Sequence, residues 1–234
     1  MVELKFLIFF ISTGTVFAGF SQNDIQQMLG RPYEKNADAM MALIRQGRYE
    51  DVESFLNYVS RKNIRTRDGF RYFRAILENW FGASEDLEFK RTQPVPMDLI
   101  PYLDNWIENR PNSSVAYIIR GVLYIERAWE IRKRGYADTV KKKQWKQFYA
   151  LHELARRDLE KAYELDPANP HSSRQLIRVQ RAENAKDQKA TNLYFNRAVQ
   201  KDSKFYWAYR AKLENEPGAP PRCGFAPFSS ALCP

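Results

Sequence analysis

From Ala37 onward, apolar residues recur at the spacing of a helix face. Ala37, Met40, Met41 and Ile44 form one stripe, and Val52, Phe55, Leu56 and Val59 form a second. Gly47-Arg48-Tyr49 breaks the pattern between them, which predicts an antiparallel helix pair around a tight corner. Upstream, Ser21-Gln-Asn-Asp24 is a capping cluster before a short helix from Ile25 to Leu29, stopped by Gly30-Arg-Pro32. Downstream, Phe70, Phe73, Ile76, Leu77 and Trp80 share one helical face, which Phe81-Gly82-Ala83-Ser84 ends. Pro94, Pro96 and Pro101 then exclude a regular strand or a long helix. Leu99, Leu103, Trp106 and Ile107 lead to a helix end at Asn109-Arg110-Pro111, completing a looser second pair. No run of alternating β-branched residues with turn signals occurs, so essentially no sheet is expected.

The next stretch is sharper. From the helix-start signal Pro111-Asn112-Ser113-Ser114, a large aromatic falls on Tyr117, a small residue on Gly121 and a second aromatic on Tyr124. A side chain at Gly121 would push the partner helix away. This helix is expected to run to about Arg134 and to end at Gly135, with an insertion from Tyr136 to about Lys143. The partner helix carries Trp145, Phe148, Leu151 and Leu154, then Ala155, Leu159, Ala162 and Pro167. Large and small apolar residues at that spacing before a helix-ending proline form the second half of a tetratricopeptide repeat. A fourth pair carries Leu176, Ile177 and Val179 on one helix and Phe195 and Ala198 on the next. A fifth helix runs from Phe205 to Leu213. The expected fold is all-α: stacked antiparallel helix pairs in a tetratricopeptide-like right-handed solenoid. Its expected limits are 33–213, after a lead-in at 19–32 and before a Pro/Gly-rich tail at 214–234 that is expected to be coil.

Composition adds location. The chain has 234 residues, 44% hydrophobic, enough for a continuous core. Residues 1–18 resemble a secretory signal: Lys5, an apolar stretch opening at Phe6 to Ile11, and Val16-Phe17-Ala18 before the cleavage point. The expectation is a periplasmic or secreted protein; an uncleaved N-terminal anchor is the alternative, because no charge lies between Lys5 and Asp24. Cys223 and Cys233 both lie in the tail, where export would expose them to oxidising conditions and allow a small closed loop. Neither has a histidine or third cysteine nearby, so no metal site is expected. The net charge of +9 suits an acidic protein face, an anionic lipid surface or nothing beyond solubility. Export argues against nucleic acid.

From Trp106 to Pro167 the chain resembles a bacterial family known only as domain of unknown function 4034. The likeness is carried by Trp106-Ile-Glu-Asn-Arg-Pro-Asn-Ser113, Arg120-Gly121, Ala128-Trp129, Arg134-Gly135-Tyr136-Ala137 and Thr139-Val140. It continues through Trp145, Phe148, His152, Ala155, Asp158-Leu159, Ala162 and Leu165-Asp166-Pro167, and Gly47-Arg48-Tyr49 also fits. The resemblance spans about residues 33–213 and implies a tetratricopeptide-like fold with no established activity. It also implies a Trp-Gly-Gly-like segment beyond the last helix, where this chain has Glu216-Pro217-Gly218-Ala219. The end of the family domain is therefore expected to be missing.

Candidate chemistry is sparse. Glu153–Arg157 and Arg156–Glu160 are i,i+4 pairs, so they and Asp158 read as a solvated helix face. His152 reads as a packed or surface-pairing histidine, and His171, after Asn169-Pro170, as a turn or capping residue. No phosphate loop, nucleophile elbow or metal spacing is present, so no enzyme and no cofactor are expected. The sharpest stripe is Arg174, Arg178 and Arg181, which share a helix face roughly opposite Leu176, Ile177 and Val179. In the repeat register these arginines line the concave groove beside the apolar Val115, Ile118, Val122 and Ile125. Guanidinium forks there would hold carboxylates of an acidic peptide or a free C-terminus. The plain alternative is a solvated basic face on a terminal helix. The insertion brackets Tyr136 with Arg132-Lys133-Arg134 and Lys141-Lys142-Lys143. It reads either as a ligand loop or as a connector whose Tyr136 and Trp145 plug the gap between repeats.

The expected function is an exported scaffold that binds a partner segment, protein or acidic peptide, through Arg174, Arg178, Arg181, Val122, Ile125 and Tyr136. Two alternatives stand beside it: a peripheral binder of anionic lipid, and an enzyme with an unrecognised site in the 132–145 insertion. Tyr206, Trp207 and Tyr209 on the last helix are expected to lie uncovered and to favour self-association.

Overall fold

The computed structural model describes residues 19–81, 94–133, 137–184 and 187–215. The expected leader, Tyr136, most of the tail and both cysteines lie outside these segments. The described residues form ten α-helices and no strand, so the fold is all-α.

Helix α1 (Gln22–Leu29) starts a turn earlier than the apolar stripe suggests. The Ser21 hydroxyl accepts from the Asp24 amide at 3.2 Å, and the Asp24 carboxylate accepts from the Ser21 amide at 3.0 Å. This reciprocal cap satisfies two amides that the first turn leaves open. Helices α2 (Tyr33–Arg45) and α3 (Tyr49–Arg61) form the expected first pair. Gly47 turns the corner at φ +72°, a conformation that a side chain would strain.

Helix α4 (Tyr72–Phe81) begins later than expected. Phe70 is not on its face. The Thr66 amide donates to the Phe70 carbonyl at 2.8 Å, and Arg65 and Arg71 form an isolated antiparallel bridge. That turn holds Phe70 outside the helix and 41% exposed. A 3-10 turn (Met97–Leu99) leads into α5 (Ile100–Asn109). The second pair is not a hairpin: α4 packs on α2 and on α6 (Ser114–Arg132), while α5 packs mainly on α6. The long, proline-bearing connection between α4 and α5 allows this separation.

Helices α6 and α7 (Lys142–Leu165) make the most extensive contact in the molecule. Gly121 is the close point. A Cβ there would stand 2.9 Å from Leu159 Cγ and 3.4 Å from the Ala155 carbonyl oxygen. The helix α6 ends at Arg132 rather than near Arg134, and α7 already includes Lys142 and Lys143, which shortens the expected insertion. Helices α8 (Pro170–Asn184) and α9 (Gln188–Gln200) form the next hairpin, and α10 (Tyr206–Leu213) packs on both.

One large core runs from α1 to α6, around the fully buried Phe55, Phe73 and Trp106. A second joins Ile125, Leu159, Leu176, Ile177 and Tyr194. Each fully buried large side chain contributes roughly 1.5–3 kcal/mol. The chain also closes on itself. The Phe73 ring of α4 stacks on His171 of α8 at 4.6 Å between centroids, and His171 meets Phe205 edge-on at 5.2 Å. Arg71 pairs with Asp202, and the Arg74 guanidinium lies over Trp207. The first half of the chain thus rests on the start of α8 and the approach to α10.

Candidate functional site

Asn169 accepts the His171 amide at 3.1 Å, and Pro170 starts α8 with a backbone already set for helix. The helix is buried along every residue from Pro170 to Gln180, because α7 and α9 pack along it while α6 and α10 also touch it. The expected division into an apolar side and an open arginine side therefore fails. Leu176, Ile177 and Val179 are buried, but so are Arg174 at 2% and Arg178 at 6% exposure. Neither an open groove nor a solvated basic face describes this helix.

The guanidinium chemistry is the expected kind, and its carboxylates belong to the chain itself. Arg178 donates to Glu126 at 2.8 Å and to the Gln175 side-chain oxygen at 2.9 Å. Glu126 is itself 4% exposed, so this is an interior ion pair between α8 and α6. Arg181 donates to Glu214 at 2.6 Å, and Arg210 holds the same carboxylate at 3.1 Å. The other expected groove residues are core. Val115, Ile118, Val122 and Ile125 are all fully buried; Val122 lies in the N-terminal core, Ile125 in the C-terminal one. The structure thus brings Arg178 and Arg181 into internal pairs and does not gather the five described candidates around a groove. Tyr136 lies outside the described residues.

Both histidines are interior. His152 Nδ1 is 2.9 Å from the Phe148 carbonyl, and its ring meets Phe148 and Trp129. Burial, opposed by that hydrogen bond and helped by Arg178 and Arg156, pushes its pKa down to about 4. His171 is fully enclosed; burial first, then the charges of Arg71, Arg174 and Arg74, hold it well below the usual histidine range. Its role as a link between chain halves leaves no sign in local spacing, since Arg71 and Arg74 look like an ordinary basic helix face.

The proposed solvated face of α7 is also corrected. Only Glu153–Arg157 stays exposed. Arg156 reaches Glu183 and the Tyr194 hydroxyl, and Glu160 pairs with Arg197, so both cross to neighbouring helices. Asp158 is 6% exposed and receives a two-point contact from Arg120 at 2.8 and 2.7 Å. Arg120 also donates to Asp104 at 2.7 Å. Burial alone would lower the Arg120 pKa; the two carboxylates reverse that and raise it.

Among the described residues, two exposed faces combine aromatic and basic side chains. At the start of α7, Lys141, Lys142, Lys143 and Lys146 are exposed. Trp145 stacks on Tyr149 at 5.6 Å and 17°, and the Arg132 guanidinium lies 5.3 Å from the Trp145 centroid and 5.5 Å from Trp129. On α10, Tyr206 is 61%, Tyr209 41% and Leu213 67% exposed, while Trp207 is buried against Phe70 and the Arg74 guanidinium. A shallow cleft of about 280 Å³ lies near Glu53 and Arg110, which pair across it at 2.9 Å. Among the described residues no three His, Cys, Asp or Glu groups converge as metal ligands. Nor is any described helix long and apolar enough to cross a membrane.

Residues 36–185 match the family model described as Domain of unknown function (DUF4034). The match begins within α2 and ends just after α8, so α9 and α10 lie beyond it. No curated protein and no solved structure shows significant similarity to this chain.

Proposed function

The chain belongs to the DUF4034 family, and from that premise we propose that it is an exported protein-binding scaffold without a reaction of its own. The observation that carries this reading is the open face of α10. Tyr206, Tyr209 and Leu213 follow one another at i, i+3 and i+7, so they form one stripe, and two of the three are more than half exposed. Large apolar side chains left in water along one helix face are the usual material of a docking surface. Lys201 and Lys204 lie exposed just before this helix. The partner that fits is a protein segment with an apolar face rimmed by carboxylates. A second copy of the chain would bring the same lysines against each other. The arginine stripe of α8 has a structural role in this reading, because it already ties α6 and α10 to α8. Export rests on the leader-like residues 1–18.

The test starts from capture on the purified chain from an envelope extract, with the bound protein identified and then purified. Its affinity is measured by titration calorimetry against the native chain and a Tyr206→Ser/Leu213→Ser variant. Loss of at least about tenfold is expected, since central apolar anchors each carry more than 1 kcal/mol. Equal affinity, or no protein bound at micromolar concentration, would overturn the proposal.

A further inference from the structure

The start of α7 breaks a local rule. The stretch Lys141-Lys-Lys-Gln-Trp-Lys-Gln-Phe-Tyr-Ala150 has four lysines and no acid, and the first turn of α7 contains no acidic residue. The positive end of a helix dipole favours carboxylates there, so Lys142 and Lys143 weaken the helix they begin. No ion pair to Lys142, Lys143 or Lys146 occurs among the described residues, and a sequence that goes against a local preference in this way marks a place where something else selects the residues. The geometry gives those residues a common outlook. The pairs Arg156–Glu183 and Arg156–Gln180 place the end of α8 near the middle of α7. The earlier turns of α7 therefore extend past α8 and lie on α6. Lys142, Trp145, Lys146 and Tyr149 stand at i, i+3, i+4 and i+7: Lys142, Lys146 and Tyr149 are exposed, and Trp145, half-buried against Phe148, borders the buried seam on one side.

We propose that this face docks on an anionic lipid bilayer, with the lysines on headgroup phosphates and the Trp145–Tyr149 pair at the headgroup level. Lysines beside an anionic leaflet are attracted additively, and Trp and Tyr are the side chains that settle at a membrane interface. Nucleic acid fits less well. Sequence-tolerant binding of single strands needs free aromatic faces for bases to stack on. Here Trp145 is already stacked by Tyr149, edged by Phe148 and approached by Arg132. The Arg132 guanidinium, 3% exposed and near both Trp129 and Trp145, fixes the tryptophan to α6. The docking face is thus a rigid part of the α6/α7 hairpin, separate from the α10 stripe.

The experiment is vesicle sedimentation with the full chain. Vesicles of phosphatidylcholine alone are compared with vesicles that also contain phosphatidylglycerol, at low and high salt. Binding is expected only with phosphatidylglycerol and should weaken with salt. Each lysine contributes about fivefold, so Lys142→Glu/Lys143→Glu/Lys146→Glu should lose at least about a hundredfold. That variant will fold, because glutamates in the first turn suit the helix dipole, and its melting temperature should equal or exceed the native one. A control, Lys35→Glu/Lys62→Glu/Lys189→Glu, changes the same charge at exposed lysines elsewhere and should keep most of the binding. Four results would overturn the proposal: equal binding by the α7 variant, equal loss in the control, equal pelleting with neutral vesicles, or no pelleting at all. Binding to a single-stranded oligonucleotide in place of vesicles, lost in the α7 variant, would assign the face to nucleic acid and also overturn it.

Discussion

Gly121 shows how much a single atom decides. It lies where α6 and α7 touch, and an added methyl would meet Leu159 Cγ at 2.9 Å. Two effects of Gly121→Ala compete. Alanine favours the helix by about 1 kcal/mol over glycine. Overpacking a close contact costs about 1–3 kcal/mol. Because the Ala155 carbonyl oxygen is also only 3.4 Å away and backbone yields little, overpacking should win. Urea unfolding of Gly121→Ala should show a net loss of about 1 kcal/mol, and Gly121→Val a larger one. A stabilised alanine variant would mean that the helices are not held this closely. The residue was legible in the sequence because a small residue between two aromatics at repeat spacing has one geometric meaning. Asp158 was not. It sits among Arg156, Arg157 and Glu160, and only the arrival of Arg120 from α6 makes it an interior residue.

Between elements, ion pairs replace the expected groove. Arg178 and Glu126 join α8 to α6, while Arg181, Arg210 and Glu214 join α8 to the end of α10. A buried pair stabilises little over an apolar pair of equal shape, but loss of one partner is severe. Glu126→Ala should therefore cost about 3–5 kcal/mol in urea unfolding. The double change Glu126→Leu/Arg178→Met should recover most of that loss. An equal loss in the single and double variants would show that side-chain volume, rather than charge, dominates the site. The helices themselves were readable from apolar spacing and caps. Which helix covers the arginine side of α8 was not, because periodicity reports one buried stripe and α8 is buried on all sides from Pro170 to Gln180.

For the whole molecule, the decisive contact is the meeting of α4 with the start of α8 and the approach to α10. His171 lies at its centre, beneath Phe73 and beside Phe205, with Arg71 just before α4, Arg74 on α4 and Arg174 on its own helix around it. A protonated imidazole there would join three guanidinium charges. His152, with its pKa near 4, is neutral in the fold for the same reason of burial. Both values lie below the unfolded one of about 6.5, so the unfolded chain binds more protons between those limits. Stability is then fully present above about pH 6.5 and falls as pH drops, down to about pH 4 for His152, with His171 contributing in the same direction. Thermal unfolding followed by circular dichroism should show a falling Tm from pH 7 to pH 4.5. A flat profile would mean that the two imidazoles are accessible and titrate normally.

The sequence alone determined the local structure: the helix stripes, the capped start at Ser21, the corner at Gly47, the contact glycine at Gly121 and the absence of sheet among the described residues. Each depends on neighbours within a few positions, where backbone geometry and side-chain spacing leave few choices. It also carried the family, through residues spread over α5 to α7. Tertiary structure alone decided what the arginines do. Arg174, Arg178 and Arg181 share a helix face in any helix, but open groove and sealed interior differ only in what packs against that face. Here α6, α10 and the His171 contact to Phe73 come from distant parts of the chain. A charged stripe has the same period whether water or another helix covers it, so no local pattern could have separated the two.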